Sequence, residues 1–327
     1  MVLVERYLRL LGIVHPPSGL AGLREVVRRH LCRVPFENVS KLLLAGREGV
    51  GRETTLDEFL DGLEHYDLGG TCYTSNPFLA SLLRALGYDA GLLGADMSRP
   101  NVHTCIRVRI GPHEYHVDVG YGGPFREPVR LDRLPHQIPH GPWRYVFDRG
   151  SRAGEYKMAV FSGAERVHGY TVHGPARDRE FFRPIVHDSF RPTATFMNCL
   201  RIARFFDRHA VELQNTTLTR YHGSESSQTT LGSMAELRRA MDKDLAMPRC
   251  PVEQAVAILE RLTGKPFFGR ASYPVYCILA RRRMTSGGKL LCGRFSVSRK
   301  GGRVGSLAQA RRYSRFVIPT LFTQYLG

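Results

Sequence analysis

The change of hydrophobic period near residue 89 constrains the chain more than any other feature. Up to that point apolar residues recur every three or four positions. Beyond it they alternate, as in Thr104, Ile106, Val108 and Ile110, then Tyr115, Val117 and Val119, with Gly111-Pro112 between the two runs. Period two with an intervening Gly-Pro pair predicts an antiparallel hairpin, and a helical first third followed by strands predicts an α+β chain. Val4, Tyr7, Leu8 and Leu11 give a first helix that stops over Gly12–Pro17. Ser18 is placed to cap a second helix, which carries Leu20, Leu23, Val27 and Leu31 and is ended by Pro35. Thr55 and Glu58 have capping-box spacing before Leu56, Phe59, Leu60 and Leu63. PFLASLLRAL (77–86) reads as a further helix closed by Gly87. Short β-rich runs then continue to about residue 200, which predicts a barrel or curled antiparallel sheet, and ELRRAMDKDL (236–245) and VEQAVAILERL (252–262) return to helix.

Within this frame one cysteine stands apart. LGGTCYTSN (68–76) puts Gly69 and Gly70 before Cys72, which itself precedes a helix. A thiol at a helix N-terminus feels the positive end of the helix dipole, which favours thiolate, and the free N–H groups there are available to a developing oxyanion. If Gly111 and Pro112 are the turn, paired residue numbers sum to 223. Asp118 then lies opposite Cys105 and diagonal to His103, and all three share a face. Cys72, His103 and Asp118 would supply a nucleophile, a base and an orienting group. His113 and His116 are rival bases and Cys105 a rival thiol. A hydrolase of papain or transglutaminase type uses the same groups.

Seven scattered cysteines without a CxxC pair argue against a disulfide framework and against a zinc site, so no metal is expected. The opening MVLVERYLRLLGIVHPP carries charges inside its apolar pattern, unlike a secretory signal, and the apolar runs are too short to cross a bilayer. A soluble, cytoplasmic protein is the expectation. The formal charge of +17 is concentrated in residues 268–327, which hold twelve Lys or Arg and no acidic residue, leaving 35 basic against 30 acidic residues in positions 1–267. Such a stretch suits the phosphates of a ligand, an acidic carrier protein or nucleic acid, or is simply solvated. With Tyr276, Phe295, Tyr313 and Phe316 it also admits a different class, a nucleic-acid-binding protein on an inactive enzyme fold, against which the intact Cys–His–Asp set argues.

The chain resembles the arylamine N-acetyltransferase family in an ordered series of motifs. These are YLRLLG (7–12), VPFENVSKLL (34–43), LGGTCYTSNPFLASLLRALGYDAGLL (68–93), HTCIRVRI (103–110) and HVDVGYGGPFREPVRL (116–131), with weaker similarity to about residue 265. The resemblance implies an N-terminal helical bundle (1–88), a central antiparallel β-barrel (89–204), an α/β lid (205–267) and a basic extension (268–327), the first two sharing a cysteine-protease-like core. It also implies that Cys72 is acylated, with His103 its base and Asp118 the third member. Phe36, Tyr73, Tyr121, Gly122 and Gly123 would line the substrate and CoA site. Arg9 and Glu37, as a polar pair, would support it with Asn38, Gly69 and Gly70. The implied donor is acetyl-CoA or another acyl thioester, with no permanently bound cofactor, and the acceptor is a small-molecule amine. The family's amide synthases suggest an alternative, a larger acyl chain taken from a thioester or an acidic acyl carrier protein. The sequence departs from the family's RGGxC at Leu68, and Thr74 stands where an acidic or amide residue is usual. Pro77 predicts that the nucleophile's helix starts late or is kinked.

Overall fold

A computed structural model describes residues 2–15, 18–49 and 51–269. Residues 1–268 form one compact unit. All but the first two residues of the basic extension lie outside the described residues, as do Tyr276, Phe295, Tyr313 and Phe316.

Five helices come first: α1 (Val2–Leu11), α2 (Gly19–Arg33), α3 (Val39–Glu48), α4 (Leu56–Tyr66) and α5 (Cys72–Ala85). Their amphipathic pattern explains their packing. Tyr7 and Leu11 of α1, Leu23, Val26 and Val27 of α2, Phe59 and Leu60 of α4 and Phe78, Leu79 and Leu83 of α5 close into one core. The Thr55–Glu58 capping box is present, each side chain bonding the other residue's backbone N–H. Ser18 occupies the N-cap of α2 in extended conformation but makes no side-chain cap bond, so its expected role is corrected to a backbone one.

The two-residue strand β1 (Phe36–Glu37) precedes α3, and β2 (Asp89–Asp96) opens an eight-stranded antiparallel sheet. Its other strands are β3 (His103–Ile110), β4 (His113–Val117), β5 (Val129–Arg130), β6 (His136–His140), β7 (Trp143–Arg149), β8 (Tyr156–Ser162) and β9 (Glu165–Val172), in the order β5-β4-β3-β2-β9-β8-β7-β6. The two edge strands are joined by the short turn Leu131–Arg133, so the sheet curls into a nearly closed barrel. Ile106 faces Val117 and Arg107 faces His116, the register set by the Gly111-Pro112 turn. Ile106, Val108, Val117 and Val119 pack on the helices, whereas Cys105 faces Phe147, Met158 and Tyr170 inside the barrel.

Helix α6 (Arg179–Asp188) interrupts the region expected to be all strand. A second sheet follows, β1-β10-β11-β12-β13, built from β10 (Arg201–Phe205), β11 (His209–Gln214), β12 (Thr217–His222) and β13 (Glu225–Thr230) and followed by α7 (Met234–Lys243) and α8 (Val252–Thr263). A domain boundary at 204 therefore falls inside β10, and the second sheet reaches back to Phe36 and Glu37, which pair with Ala203 and Ile202. Asn38 fastens this junction. Its amide donates to the carbonyls of Phe196 (2.9 Å) and Cys199 (2.7 Å), and its oxygen accepts from Arg201 N (2.8 Å). No helix among the described residues is long and apolar enough to cross a membrane.

Replacing Thr55 with Ala should lower stability by about 1 kcal/mol through loss of the α4 cap, read from the denaturant midpoint. An unchanged midpoint would show that the cap contributes nothing.

Candidate active site

Helix α5 begins at Cys72 itself, which corrects the expected start at residue 77, and Pro77 is accommodated inside the helix. Cys72 is therefore in the first turn, where amides have no intrahelical carbonyl to bond. The Thr71 carbonyl takes the amides of Thr74 and Ser75, both at 3.0 Å. Two contacts fix this turn. Thr104 Oγ1 donates to the Cys72 carbonyl at 2.7 Å, tying α5 to β3. Gly120 lies so close that a Cβ there would stand 2.5 Å from Cys72 Cα and 2.7 Å from Asn76 Nδ2. Glycine is required by that approach, not by a turn.

The structure brings His103 and Asp118 to the same place, both buried at the β3–β4 end of the barrel. His103 Nε2 is 2.7 Å from Asp118 Oδ2, which leaves Nδ1 for a hydrogen bond with Cys72. Burial disfavours the imidazolium, but the charges of Asp118 and of a Cys72 thiolate, with hydrogen bonds to both residues, raise His103 to about 10. Burial likewise opposes charge on Asp118. The adjacent His103, together with donated hydrogen bonds, nevertheless holds its carboxyl below the ordinary range. Asp118 Oδ1 accepts from Asn76 Nδ2 (2.9 Å) and Gly120 N (3.0 Å), and Oδ2 accepts from the Tyr170 hydroxyl (2.9 Å) as well as from His103.

Asn76, Gly120, Thr104 and Tyr170 are absent from the sequence-based candidates. Asn76 had a readable signal, since it is four residues after Cys72 and so on the same helix face. Its amide also donates to Thr104 O (2.5 Å), and its oxygen accepts from Val119 N (3.0 Å). Tyr170 comes from β9, far along the chain, and has no local signature.

The rivals sort themselves. His116 bonds Tyr156 through Nδ1 and Tyr170 through Nε2, both at 2.9 Å, and burial pushes it down to about 4. Because the single Tyr170 proton goes to Asp118, the Tyr170 oxygen must accept from His116 Nε2–H. His116 is thus a neutral support standing behind the carboxylate. His113 is half-buried beside Asp132 at 3.1 Å, and Cys105 is sealed in the barrel with its Sγ 4.0 Å from the Tyr156 hydroxyl.

Of the expected lining residues, Tyr121 sets its ring edge-on to His103 with centroids 5.6 Å apart. Its hydroxyl meets His168 Nδ1 at 2.5 Å. Phe36 lies against Gly122, which has a φ of 75° and leaves no room for a Cβ beside that ring. A Cβ on Gly123 would come within 2.9 Å of Tyr121. The Tyr73 hydroxyl is engaged by the Val102 carbonyl at 2.8 Å.

The Arg9–Glu37 pair is not formed. Arg9 is on the exposed side of α1 and bonds Glu64 at 3.0 Å. Glu37 is fully buried and accepts from the amides of Gly69 (3.0 Å) and Ser40 (2.8 Å), and burial raises its carboxyl above the usual range. Its work is to hold the loop before Cys72. Gly69 permits this because a Cβ there would overlap the Pro35 carbonyl oxygen, and Gly70 bridges to Phe36. Leu68 packs into the core formed with α3, α7 and α8.

A raised pKa keeps His103 cationic. Its contribution to stability is complete below the ordinary value of ~6.5 and is lost as pH rises through about 10. Imidazole nitrogen shifts should show His103 protonated at pH 7–8. In Asp118→Asn the titration should move down toward ~6.5 or lower. A neutral His103 at pH 7 in the unsubstituted protein would contradict this.

Comparison with known proteins places the geometry. The sequence profile of the N-acetyltransferase family matches residues 19–248. The chain is similar to the arylamine N-acetyltransferase of Mycolicibacterium smegmatis, 30% identical over 250 residues, 72% of this chain and 88% of that protein. It is also similar to N-malonyltransferase FDB2 of Gibberella moniliformis, 33% identical over 276 residues, 76% of each. With the arylamine N-acetyltransferase / N-hydroxyarylamine O-acetyltransferase of Salmonella typhimurium it shares 33% identity over 134 residues, 38% of this chain and 46% of that protein. The chain thus spans about half the length of several curated relatives it matches. Two solved structures share its fold. The Salmonella typhimurium arylamine N-acetyltransferase gives a TM-score of 0.67 at 21% identity, covering 81% of this chain and 98% of that one. The Mycobacterium marinum enzyme in complex with CoA gives 0.67 at 20%, covering 79% and 99%. With its fold, its ordered motifs and the family profile in agreement, the chain belongs to the arylamine N-acetyltransferase family of acyltransferases.

Proposed function

We propose that the protein transfers an acyl group from a CoA thioester to an amine through an acyl-cysteine at Cys72. The observation that carries this reading is the buried His103–Asp118 pair at 2.7 Å beside a cysteine in the first turn of a helix. With the proton held on His103, the Cys72 sulfur is the nucleophile. The sulfur attacks the thioester carbonyl, and the Cys72 and Tyr73 amides at the start of α5 would donate to the oxyanion. As the bond to CoA breaks, the departing thiolate takes the His103 proton. Acylation removes the negative partner on sulfur, so the imidazole is now a base. It accepts a proton from the attacking amine as the new C–N bond forms, and the Cys72 thiolate is released. Asp118 keeps the ring oriented and charge-compensated in both halves. The family's acetyl donor and arylamine, hydrazine or N-hydroxyarylamine acceptors are the default assignment.

The alignment with the N-malonyltransferase, over 76% of each chain, supports a second reading in which the acyl group is larger than acetyl. A donor panel separates the two. If acetyl-CoA is used as well as malonyl-CoA and longer acyl thioesters, or better, the second reading fails.

Initial rates with both substrates varied should give parallel double-reciprocal lines, as a substituted-enzyme mechanism requires, and intersecting lines would overturn the order of steps. His103→Gln should lower the rate by about 10²–10⁴. A loss under about tenfold would remove His103 as the base.

A further inference from the structure

Away from Cys72, a cavity of about 450 Å³ opens between the C-terminal half of α2 and β10. Its walls include Arg28, Arg29, Arg33 and Arg204, with Asp207 the one carboxylate among them. Much of the α2 cluster has a plain explanation, because cations near a helix C-terminus offset the dipole. Arg29 is also engaged by Glu25 at 2.9 Å, and Arg28 lies 3.8 Å from Asp207. Arg204 has no such explanation. It comes from β10, and its Nε and Nη1 are shut off from solvent without a hydrogen-bond partner among the described residues. Its guanidinium stands over the Phe206 ring at 5.5 Å. A guanidinium does not shed its proton at physiological pH, so the largely buried charge of Arg204 is costly unless a counter-charge stands in the cavity its side chain lines. A fifth guanidinium borders the cavity: Arg126 donates to Cys32 Sγ at 3.4 Å and to the His209 carbonyl at 3.3 Å.

We infer that this cavity is a binding subsite for a phosphate ester, held by the charge of Arg204 and by the α2 arginines that line it with Arg204. Four guanidinium groups against one carboxylate leave a strong positive excess. Planar forks match phosphate oxygens in pairs, which suits a dianion better than a single carboxylate. The subsite adjoins the elements that set the candidate active site. Ala203, next to Arg204, pairs with Phe36, whose ring lies against Gly122, and Arg126 follows Gly122 and Gly123 by a few residues. The phosphate ester is therefore either part of the thioester donor or a separate ligand.

The test uses the full chain with Arg204→Met, which removes a largely buried charge and keeps an unbranched apolar stem, and Arg33→Ala at an exposed position. Calorimetric titration with inorganic pyrophosphate and with adenosine 3′,5′-bisphosphate should show binding weakened about tenfold or more in Arg204→Met and to a lesser degree in Arg33→Ala. The basic extension is identical in all three proteins, so it does not produce the difference. Equal binding by both variants and the parent, or no binding by the parent, overturns the proposal. KM for acetyl-CoA then identifies the source, an arm that rests on the acyl transfer proposed above. A rise confined to acetyl-CoA, with S-acetyl-N-acetylcysteamine unaffected, assigns the subsite to the donor's phosphates. An unchanged KM alongside lost pyrophosphate binding assigns it to a separate phosphate ester. Acylation by the phosphate-free donor reports on Cys72 chemistry independently, so failure there is distinguishable from failure of the subsite.

Discussion

The carboxylate of Asp118 holds the candidate site together. It is buried, and its four hydrogen-bond donors come from four different parts of the chain: Asn76 on α5, His103 on β3, the Gly120 amide after β4 and Tyr170 on β9. A charge in that position is tolerable only because every lone pair it offers is taken. The same requirement fixes α5 against the barrel, since moving α5 would strip the Asn76 bond and leave a buried charge short of a partner. Behind Tyr170, His116 and Tyr156 extend the chain of hydrogen bonds into the barrel interior. Orientation of His103 is thus a property of the whole barrel wall and not of one pair of residues.

The second constraint is close backbone approach. Gly69 lies against the Pro35 backbone and Gly120 against the Cys72 backbone, so three segments distant in sequence meet at main-chain separation around Cys72, while Gly122 lies against the Phe36 ring. Glu37 ties the first of these by accepting two backbone amides. Without Arg9 as its partner, the Glu37 carboxyl is raised by burial, and its structural role rests on hydrogen bonds alone. Leu68 extends the apolar packing beneath the same loop. The departures from the family pattern at this loop therefore leave a packed and hydrogen-bonded turn in front of Cys72.

Much of this was readable from local pattern. The turn at Gly111-Pro112 fixed the hairpin register, and with period two it set His103 and Asp118 close to one another before any tertiary information was available. Thr55 and Glu58 announced a cap by spacing. What local pattern missed depends on contacts between remote segments. Strand β1 is two residues long and exists only because β10 pairs with it. Pro77 suggested a late helix start because its penalty was weighed alone, whereas Thr104 and Asn76 anchor the first turn at Cys72. The Arg9–Glu37 pair is an implication of the family resemblance that this chain does not realise, since Arg9 on α1 bonds Glu64 on α4 instead. Tyr170 and Arg204 likewise gain their meaning only from partners, or their absence, on other elements.

The account stands or falls on which sulfur carries the acyl group. Peptide mass spectrometry after brief exposure to an acyl-CoA tests this directly, with the Asp118→Asn protein run alongside. The account predicts a single acyl adduct on the peptide containing Cys72, formed much more slowly in the variant. An adduct on Cys32 or Cys105 instead, or one on Cys72 that forms equally fast without the carboxylate, would contradict it.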